Sequence, residues 1–383
     1  MKNYNEESNK IIDKNQNENR LREIIDQIED INNEIVVKAN ERMNSLAKPL
    51  NSLGKLEQMA VKLSGITGEI KNTLDKRAII IMCSDNGVVE EGIASAPQYV
   101  TLAQTINFTK GLTGVAVIAK ANNTDLKVID IGINSDFEHP LVLNKKIRKS
   151  TNNIAKENAM TYDEAINGIL IGIEAVKNAK EEGYKILGVG EMGIGNTSTS
   201  SAILSSLTGY KVEDVVGYGG GILEDAFKKK IAVIKRAIEI NKPKIDDPID
   251  VIAKIGGFDI AGMTGVFLGA AYYKVPVVID GFISVVAALL AFRLNKKTRD
   301  YMFTSHGSKE LGFKVAMKEL NLQAILNLDM GLGEGSGCPL AFSIMDSACA
   351  VMNNMATFKE AEINDSYLDE LRAIQKNNKN IIN

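Results

Sequence analysis

The chain of 383 residues contains two histidines, no tryptophan, three cysteines and seven prolines. With His139 and His306 as the whole imidazole supply, a multi-histidine metal centre is excluded and a Ser-His-Asp arrangement has two candidates at most. Cys83, Cys338 and Cys349 lack C-x-x-C spacing and are odd in number. Neither a disulfide framework nor a cysteine zinc site is supported, and they read as small buried hydrophobes in a cytoplasmic chain. Aromatics make up 5% of residues, and 45 basic against 48 acidic side chains leave a net charge of -3. That gives few stacking platforms and no basic footprint, so nucleic acid is not an expected partner. The polar N-terminus MKNYNEESNKIIDKNQNENR has no apolar run of the kind a signal peptide needs. In the apolar stretch from Ile260 to Phe292, Lys274 and Asp280 leave pieces of 14, 5 and 12 residues, below the ~20 needed to span a membrane. It reads as buried α/β core. No G-x-x-x-x-G-K-[ST] and no G-x-S-x-G occurs, which removes the main signals of P-loop and nucleophile-elbow enzymes.

The length suggests two or three domains at ~150 residues each. Residues 1–20 are too polar to bury a core. Leu21, Ile24, Ile25, Ile28, Ile31 and Ile35 then recur at three- and four-residue spacing, and Ile363, Tyr367, Leu368, Leu371 and Ile374 repeat the pattern near the other end. Both stripes predict amphipathic helices with an apolar face to cover. We therefore expect a small helical domain from residues 1–75 and 346–383, and a large α/β domain over 76–345. Within the latter, AIIIMC (78–83), LKVIDIGI (126–133), YKILGVG (184–190), VIAKIG (251–256), VPVVID (275–280), YMFTS (301–305) and AILNLDMG (324–331) are short apolar runs with room for crossover helices between them. Continuous apolarity fits strands buried on both faces, which predicts a Rossmann-like, mainly parallel sheet with helices on both sides. Ligands of such sheets sit beyond the carboxyl ends of the strands. Asp85, Glu191, Asp280 and Glu334 fall there.

GVGEMGIGNTSTSSAIL (188–204) leaves a strand and enters a helix with Thr197 or Ser198 near the N-cap. Glycines admit an anion to the backbone, and a helix start favours phosphate. Gly188, Gly190 and Gly193 also satisfy G-x-G-x-x-G, with Glu213 and Asp214 about twenty residues on, as a dinucleotide site would require. An ordinary tight turn is the alternative reading of the same glycines. GLGEGSG (331–337) sets Glu334 between small residues before a helix beginning near Pro339. A partly desolvated carboxylate there would have a raised pKa suited to a general base; a solvated loop glutamate is the plainer reading. In VGYGGGILEDAFKKKIAVI (216–234), Lys230 is placed to meet a phosphate as a point charge, or Lys228 to Lys230 form a solvated face. His306 is either a ligand-site or a structural histidine.

KPLNSLGKLEQMAVKLSGI (48–66), SDNGVVEEGIASAPQYVT (84–101), GEMGIGNTSTS (190–200), the 216–234 segment, SHGSKELGF (305–313), LDMGLGEGSG and MATF (355–358) occur in this order. Together they resemble the nicotinate-nucleotide:dimethylbenzimidazole phosphoribosyltransferase family of cobamide lower-ligand synthesis, over about 310 residues from Lys48 to Phe358. The resemblance implies a cofactor-free, metal-free homodimeric pentosyltransferase. It would move the 5-phosphoribosyl group of nicotinate mononucleotide to a benzimidazole-like base, with inversion to the α configuration and release of nicotinate. It implies Glu334 as the base and Glu191 as ribose-positioning or oxocarbenium-stabilising carboxylate. Gly193, Gly195, Asn196, Thr197, Gly219, Lys230 and Asp280 would bind phosphate and ribose. Asp85, Asn86, Ala94, Gln98 and Gly333 would form the base pocket.

Asn86 stands where the family usually has His, Ala94 where a serine is common, and Leu311 and Phe313 replace the Pro and His of an E-P-G-H segment. A less polar pocket follows, with another benzimidazole, a purine such as adenine or a phenol as alternative acceptor. A nicotinamide-dependent oxidoreductase and a non-catalytic nucleotide-binding protein remain rival readings.

Overall fold

The computed structural model describes residues 16–221 and 223–371; Ile374 and the first 15 residues lie outside them. Two compact units are present: the described residues up to Ile31 with Leu74–Ser343, and Asn32–Thr73 with the described residues from Ile344 onwards.

The larger unit contains six strands, β1 (Arg77–Ser84), β2 (Asp125–Gly132), β3 (Val142–Asn144), β4 (Ile186–Met192), β5 (Val277–Ile279) and β6 (Met302–Thr304). They form one sheet in the order β3-β2-β1-β4-β5-β6 with every pair parallel. This is the doubly wound Rossmann order, whose direction reverses between β1 and β4. All of β4 and all but the first residue of β1 are buried. Because alternate residues face opposite sides of a sheet, both faces are covered.

In chain order the helices are α1 (residues 16–26), α2 (Asn33–Ser45), α3 (Lys55–Thr67), α4 (Tyr99–Lys110), α5 (Gly114–Ala121), α6 (Tyr162–Glu181) and α7 (Asn196–Thr208). Then follow α8 (Val212–Val215), α9 (Glu224–Asn241), α10 (Pro248–Ile255), α11 (Phe258–Tyr272), α12 (Phe282–Leu294), α13 (Leu311–Glu319) and α14 (Cys338–Asn354). The Ile260–Phe292 stretch is divided among α11, β5 and α12, all in the core. No helix among the described residues is long and apolar enough to cross a membrane.

Glycines let α6 and α11 pack backbone to backbone. A Cβ on Gly172 would lie 2.0 Å from the Gly262 carbonyl oxygen, and one on Gly265 would lie 1.9 Å from that of Ile169. Neither oxygen can yield without separating the helices. Gly265→Ala is therefore expected to cost about 3 kcal/mol, the upper end of ordinary overpacking, read as a fall in the urea midpoint with an unchanged slope.

Two of the seven expected strands differ. Residues 251–256 lie in and just after α10, where Asp247 caps the helix by accepting from the Ile249 and Asp250 amides at 3.1 and 3.2 Å and Pro248 opens the first turn. A six-residue apolar run does not separate strand from buried helix; the Asp-Pro pair before it does. Residues 324–331 form no strand, only a parallel bridge between Leu326 and His306. The edge strand β3 is three residues long, too short for a period-2 signal.

The chain-end stripes also differ from expectation. The helical run through Leu21–Ile35 breaks after residue 26, and Asn32 starts α2 by accepting from the Ile35 amide at 3.1 Å. Leu21, Ile24 and Ile28 are buried in the larger unit, where Asn295 donates to the Ile25 carbonyl at 2.8 Å and the Tyr301 hydroxyl to that of Glu29 at 3.0 Å. Near the other end, Leu368 is buried while Ile363, Tyr367 and Leu371 are exposed, with a short 3-10 turn at Ser366–Leu368. In the smaller unit, Leu46 and Thr357 form an antiparallel bridge and Arg42 Nε donates to the Met352 carbonyl at 2.8 Å.

Candidate active site

A cavity of about 270 Å³ opens beyond the carboxyl ends of β4 and β5, on the side of the sheet where such folds bind ligands. Glu191 is the penultimate residue of β4 and Asp280 directly follows β5. Glu334 sits in the loop before α14 with φ +65°. That is a left-handed conformation rare for a residue with a side chain, and such strain clusters at functional sites.

Glu334 is 6% exposed. Its Oε2 accepts the Val115 amide at the start of α5 at 3.2 Å, and Gln104 of α4 donates to Oε1 at 3.5 Å. Burial raises its pKa above the usual glutamate range, and these two donors oppose the shift. Glu191 Oε1 accepts the Glu334 amide at 3.3 Å, and Oε2 accepts Asn196 Nδ2. The same Nδ2 lies 3.0 Å from Asp259 Oδ2. Burial pushes both Glu191 and Asp259 up to about 7.

Also on the cavity wall, α7 begins at Asn196 with Gly195 as its N-cap at φ +95° and no side-chain cap. Gly195 holds the place expected of Thr197 or Ser198, because the cap residue here needs a left-handed backbone. Thr197 Oγ1 instead accepts from Lys230 Nζ at 3.0 Å, and the Gly217 carbonyl accepts from the same ammonium at 3.1 Å. Lys230 is 2% exposed, and burial lowers its pKa to about 8. Neighbouring Glu310 also has its carboxyl raised by burial, with Lys230 pulling it down. A cation held by neutral oxygens beside a helix start suits a phosphate.

Of the residues expected at the site, Glu334, Glu191, Gly193, Gly195, Asn196, Thr197, Gly219, Lys230, Asp280, Ala94 and Gly333 line this one cavity. The structure does not bring Asp85, Asn86 or Gln98 to it. Asp85 Oδ2 accepts the Asn134 amide at 2.8 Å, and Gln98 accepts from the Asn134 side chain at 2.9 Å. Asn86 is fully buried, packed where a Cβ on Gly193 or Gly257 would strike it. Leu311 is exposed on α13 and Phe313 is buried on the same helix beside a separate depression with Gly307 and Met317. Of the four altered positions only Ala94 touches the cavity.

The G-x-G-x-x-G match serves another purpose. Gly188 and Gly190 lie inside β4, where a Cβ would sit 2.6 Å from Cys338 Cβ and 2.3 Å from the Glu334 carbonyl oxygen, respectively. The missing side chain of Gly190 admits the loop carrying Glu334 and that of Gly188 the first residue of α14, not a pyrophosphate. His306 is 1% exposed, outside the cavity wall, with Nδ1 3.2 Å from Ser305 Oγ and its pKa lowered by burial; it is structural. The three cysteines are free and buried. Among the described residues no cluster of His, Cys, Asp and Glu could hold a metal ion.

Residues 28–363 match the family model described as Phosphoribosyltransferase. The chain belongs to this phosphoribosyltransferase family. It is 60% identical over 352 residues to the nicotinate-nucleotide–dimethylbenzimidazole phosphoribosyltransferase of Clostridium perfringens (strain 13 / Type A), covering 92% of this chain and 98% of that one. The enzyme of the same name from Clostridium acetobutylicum is 50% identical over 343 residues, covering 90% and 97%. Among solved structures, CobT from Thermus thermophilus superposes with a TM-score of 0.83 at 36% identity, over 87% of this chain and 100% of that one.

In this phosphoribosyltransferase, sequence reasoning missed Gln104, the Val115 amide, Asp259 and Glu310. Asp259 stands after the Gly256-Gly257 pair at the start of α11, a visible turn-to-helix signal. Gln104 and Val115 carry no local signature; only the packing of α4 and α5 brings them to Glu334.

Proposed function

We propose that this phosphoribosyltransferase moves the 5-phosphoribosyl group of nicotinate mononucleotide to a ring nitrogen of a benzimidazole-like base in cobamide assembly, releasing nicotinate and an α-ribazole 5'-phosphate. The observation that carries this is that one cavity is lined by two buried groups of opposite chemistry. They are a carboxylate of raised pKa, Glu334, and an ammonium held by neutral oxygens, Lys230. The C1'–N bond to nicotinate breaks, the C1'–N bond to the incoming base forms, and the proton of that base passes to Glu334. The departing pyridinium already carries positive charge and leaves as neutral ring with its electron pair, so the step calls for no strong general acid. Glu191 faces the same space and stabilises positive charge developing on the ribose. Gly193, Gly195, Asn196, Thr197, Gly219 and Lys230 hold the phosphate, while Ala94 and Gly333 contact the base.

The apolar wall made by Ile93, Ala94, Val100, Met192, Ile194 and Leu332 supports a flat, weakly polar acceptor. Leu112, Val117, Leu141 and Leu143 are exposed around α5 and the sheet edge at β3, which supports a homodimer. Free buried thiols suit a cytoplasmic protein. Incubation with nicotinate mononucleotide and separate benzimidazoles, adenine and phenols, followed by product masses, tests the reading. Transfer to a benzimidazole with release of nicotinate is expected; conversion of none of the acceptors would overturn it.

A further inference from the structure

We propose that Asp280 is a positioning residue for Glu334, holding the backbone of the loop that carries the base rather than binding the mononucleotide. The inference rests on the role given to Glu334 above. Asp280 is 3% exposed, and each of its oxygens takes a different amide of that loop: Oδ2 accepts from Gly335 at 3.0 Å and Oδ1 from Gly337 at 2.7 Å. Glu191 takes the Glu334 amide at 3.3 Å. Two carboxyl groups, one on β4 and one just beyond β5, thus hold three amides within four consecutive residues.

Between these ties the chain turns through two left-handed residues, Glu334 at φ +65° and Gly335 at φ +92°. Glycine adopts that backbone readily; a glutamate does so only when its surroundings impose it. The floor of the loop is fixed as well, because the Glu334 carbonyl lies against Gly190 of β4 with no room for a Cβ. Asp280 is itself set by Ser284, whose Oγ accepts the Asp280 amide at 3.2 Å. Behind it His306 Nδ1 stands 3.8 Å from Oδ1, and burial favours the neutral imidazole. The two loop amides, not a cation, are thus the close partners of this carboxylate. Its orientation toward the loop is a poor feature for a phosphate ligand.

The test is Asp280→Asn in the full chain, with nicotinate mononucleotide varied against saturating 5,6-dimethylbenzimidazole. A carboxamide keeps one acceptor and turns its NH2 toward the other amide, so one tie is lost. Misplacing Glu334 in this way is expected to lower kcat about 10- to 100-fold, with KM for the mononucleotide within about two-fold of wild type because the phosphate contacts at Lys230 are untouched. A KM raised tenfold or more, or a kcat within two-fold of wild type, would overturn the proposal. Should the variant not fold, hydrogen exchange on the unmodified protein decides the matter. Residues 333–338 should be as protected without the mononucleotide as with it, and protection that arises only on adding it would show that Asp280 does not hold the loop. Wild-type turnover is measured alongside. An inactive wild type would remove the transferase reading, whereas the exchange result judges the tie to Asp280 separately.

Discussion

Glu334→Gln is expected to lower kcat by about 10²- to 10⁴-fold, the usual worth of a general base, while the dissociation constant for nicotinate mononucleotide changes by less than about two-fold. The substitution is nearly isosteric. A carboxamide oxygen can still accept the Val115 amide that Glu334 Oε2 accepts at 3.2 Å, and only the longer 3.5 Å contact from Gln104 is given up, so the loop keeps its main tie. What is lost is the capacity to take a proton from the incoming base. Calorimetry with the mononucleotide and steady-state turnover with a benzimidazole separate the two effects; near wild-type turnover would remove Glu334 from this role. The wild type should show the matching pH limb. Burial raises the Glu334 carboxyl, so activity that needs the ionised form is lost as pH falls through a value above the ordinary ~4.3 of glutamate.

The second large effect is expected at Lys230. Replacing its ammonium by the similar volume of methionine removes charge-assisted hydrogen bonds to phosphate, each worth about 1.5–3 kcal/mol, or roughly 10- to 100-fold in affinity. The loss should fall on KM for the mononucleotide, leaving the acceptor base unaffected. The wild type provides a pH test of the same group. With its pKa lowered by burial to about 8, the free enzyme loses this charge as pH rises through that value, so kcat/KM for the mononucleotide declines there. A bound phosphate raises the pKa, so kcat declines only at higher pH. Unchanged KM in Lys230→Met, or a kcat/KM flat from pH 7 to 9.5, would place the phosphate elsewhere.

Much of the sheet was legible because strands of a doubly wound sheet are buried on both faces and read as apolar runs. AIIIMC, LKVIDIGI and YKILGVG fall on β1, β2 and β4. VIAKIG reads as a strand because a short buried helix has the same length and apolarity, and the informative residues, Asp247 and Pro248, stand outside the run. The break between α1 and α2 was hidden for a similar reason. Apolar spacing continues across it, while the stop is written in the cap at Asn32. At the site, Glu191 and Glu334 announced themselves through the glycines beside them. Gln104, Val115 and Asp259 did not, because their contribution is a contact made across more than 60 residues of chain.

Scarcity of histidine, unpaired cysteines and the order of glycine-rich turns after apolar runs were sufficient, without coordinates, to point away from metal and triad chemistry and toward carboxylates and a phosphate site. Only the tertiary structure decided what the glycines are for. Gly188 and Gly190, which match a dinucleotide fingerprint, instead make room for the start of α14 and the loop of Glu334, and Asp280, expected at the phosphate, has its oxygens on that loop's amides. A glycine states that a Cβ is not tolerated, and an aspartate that acceptors are needed. Which neighbour imposes the one and fills the other depends on strands brought side by side, and local sequence carries no record of that distance.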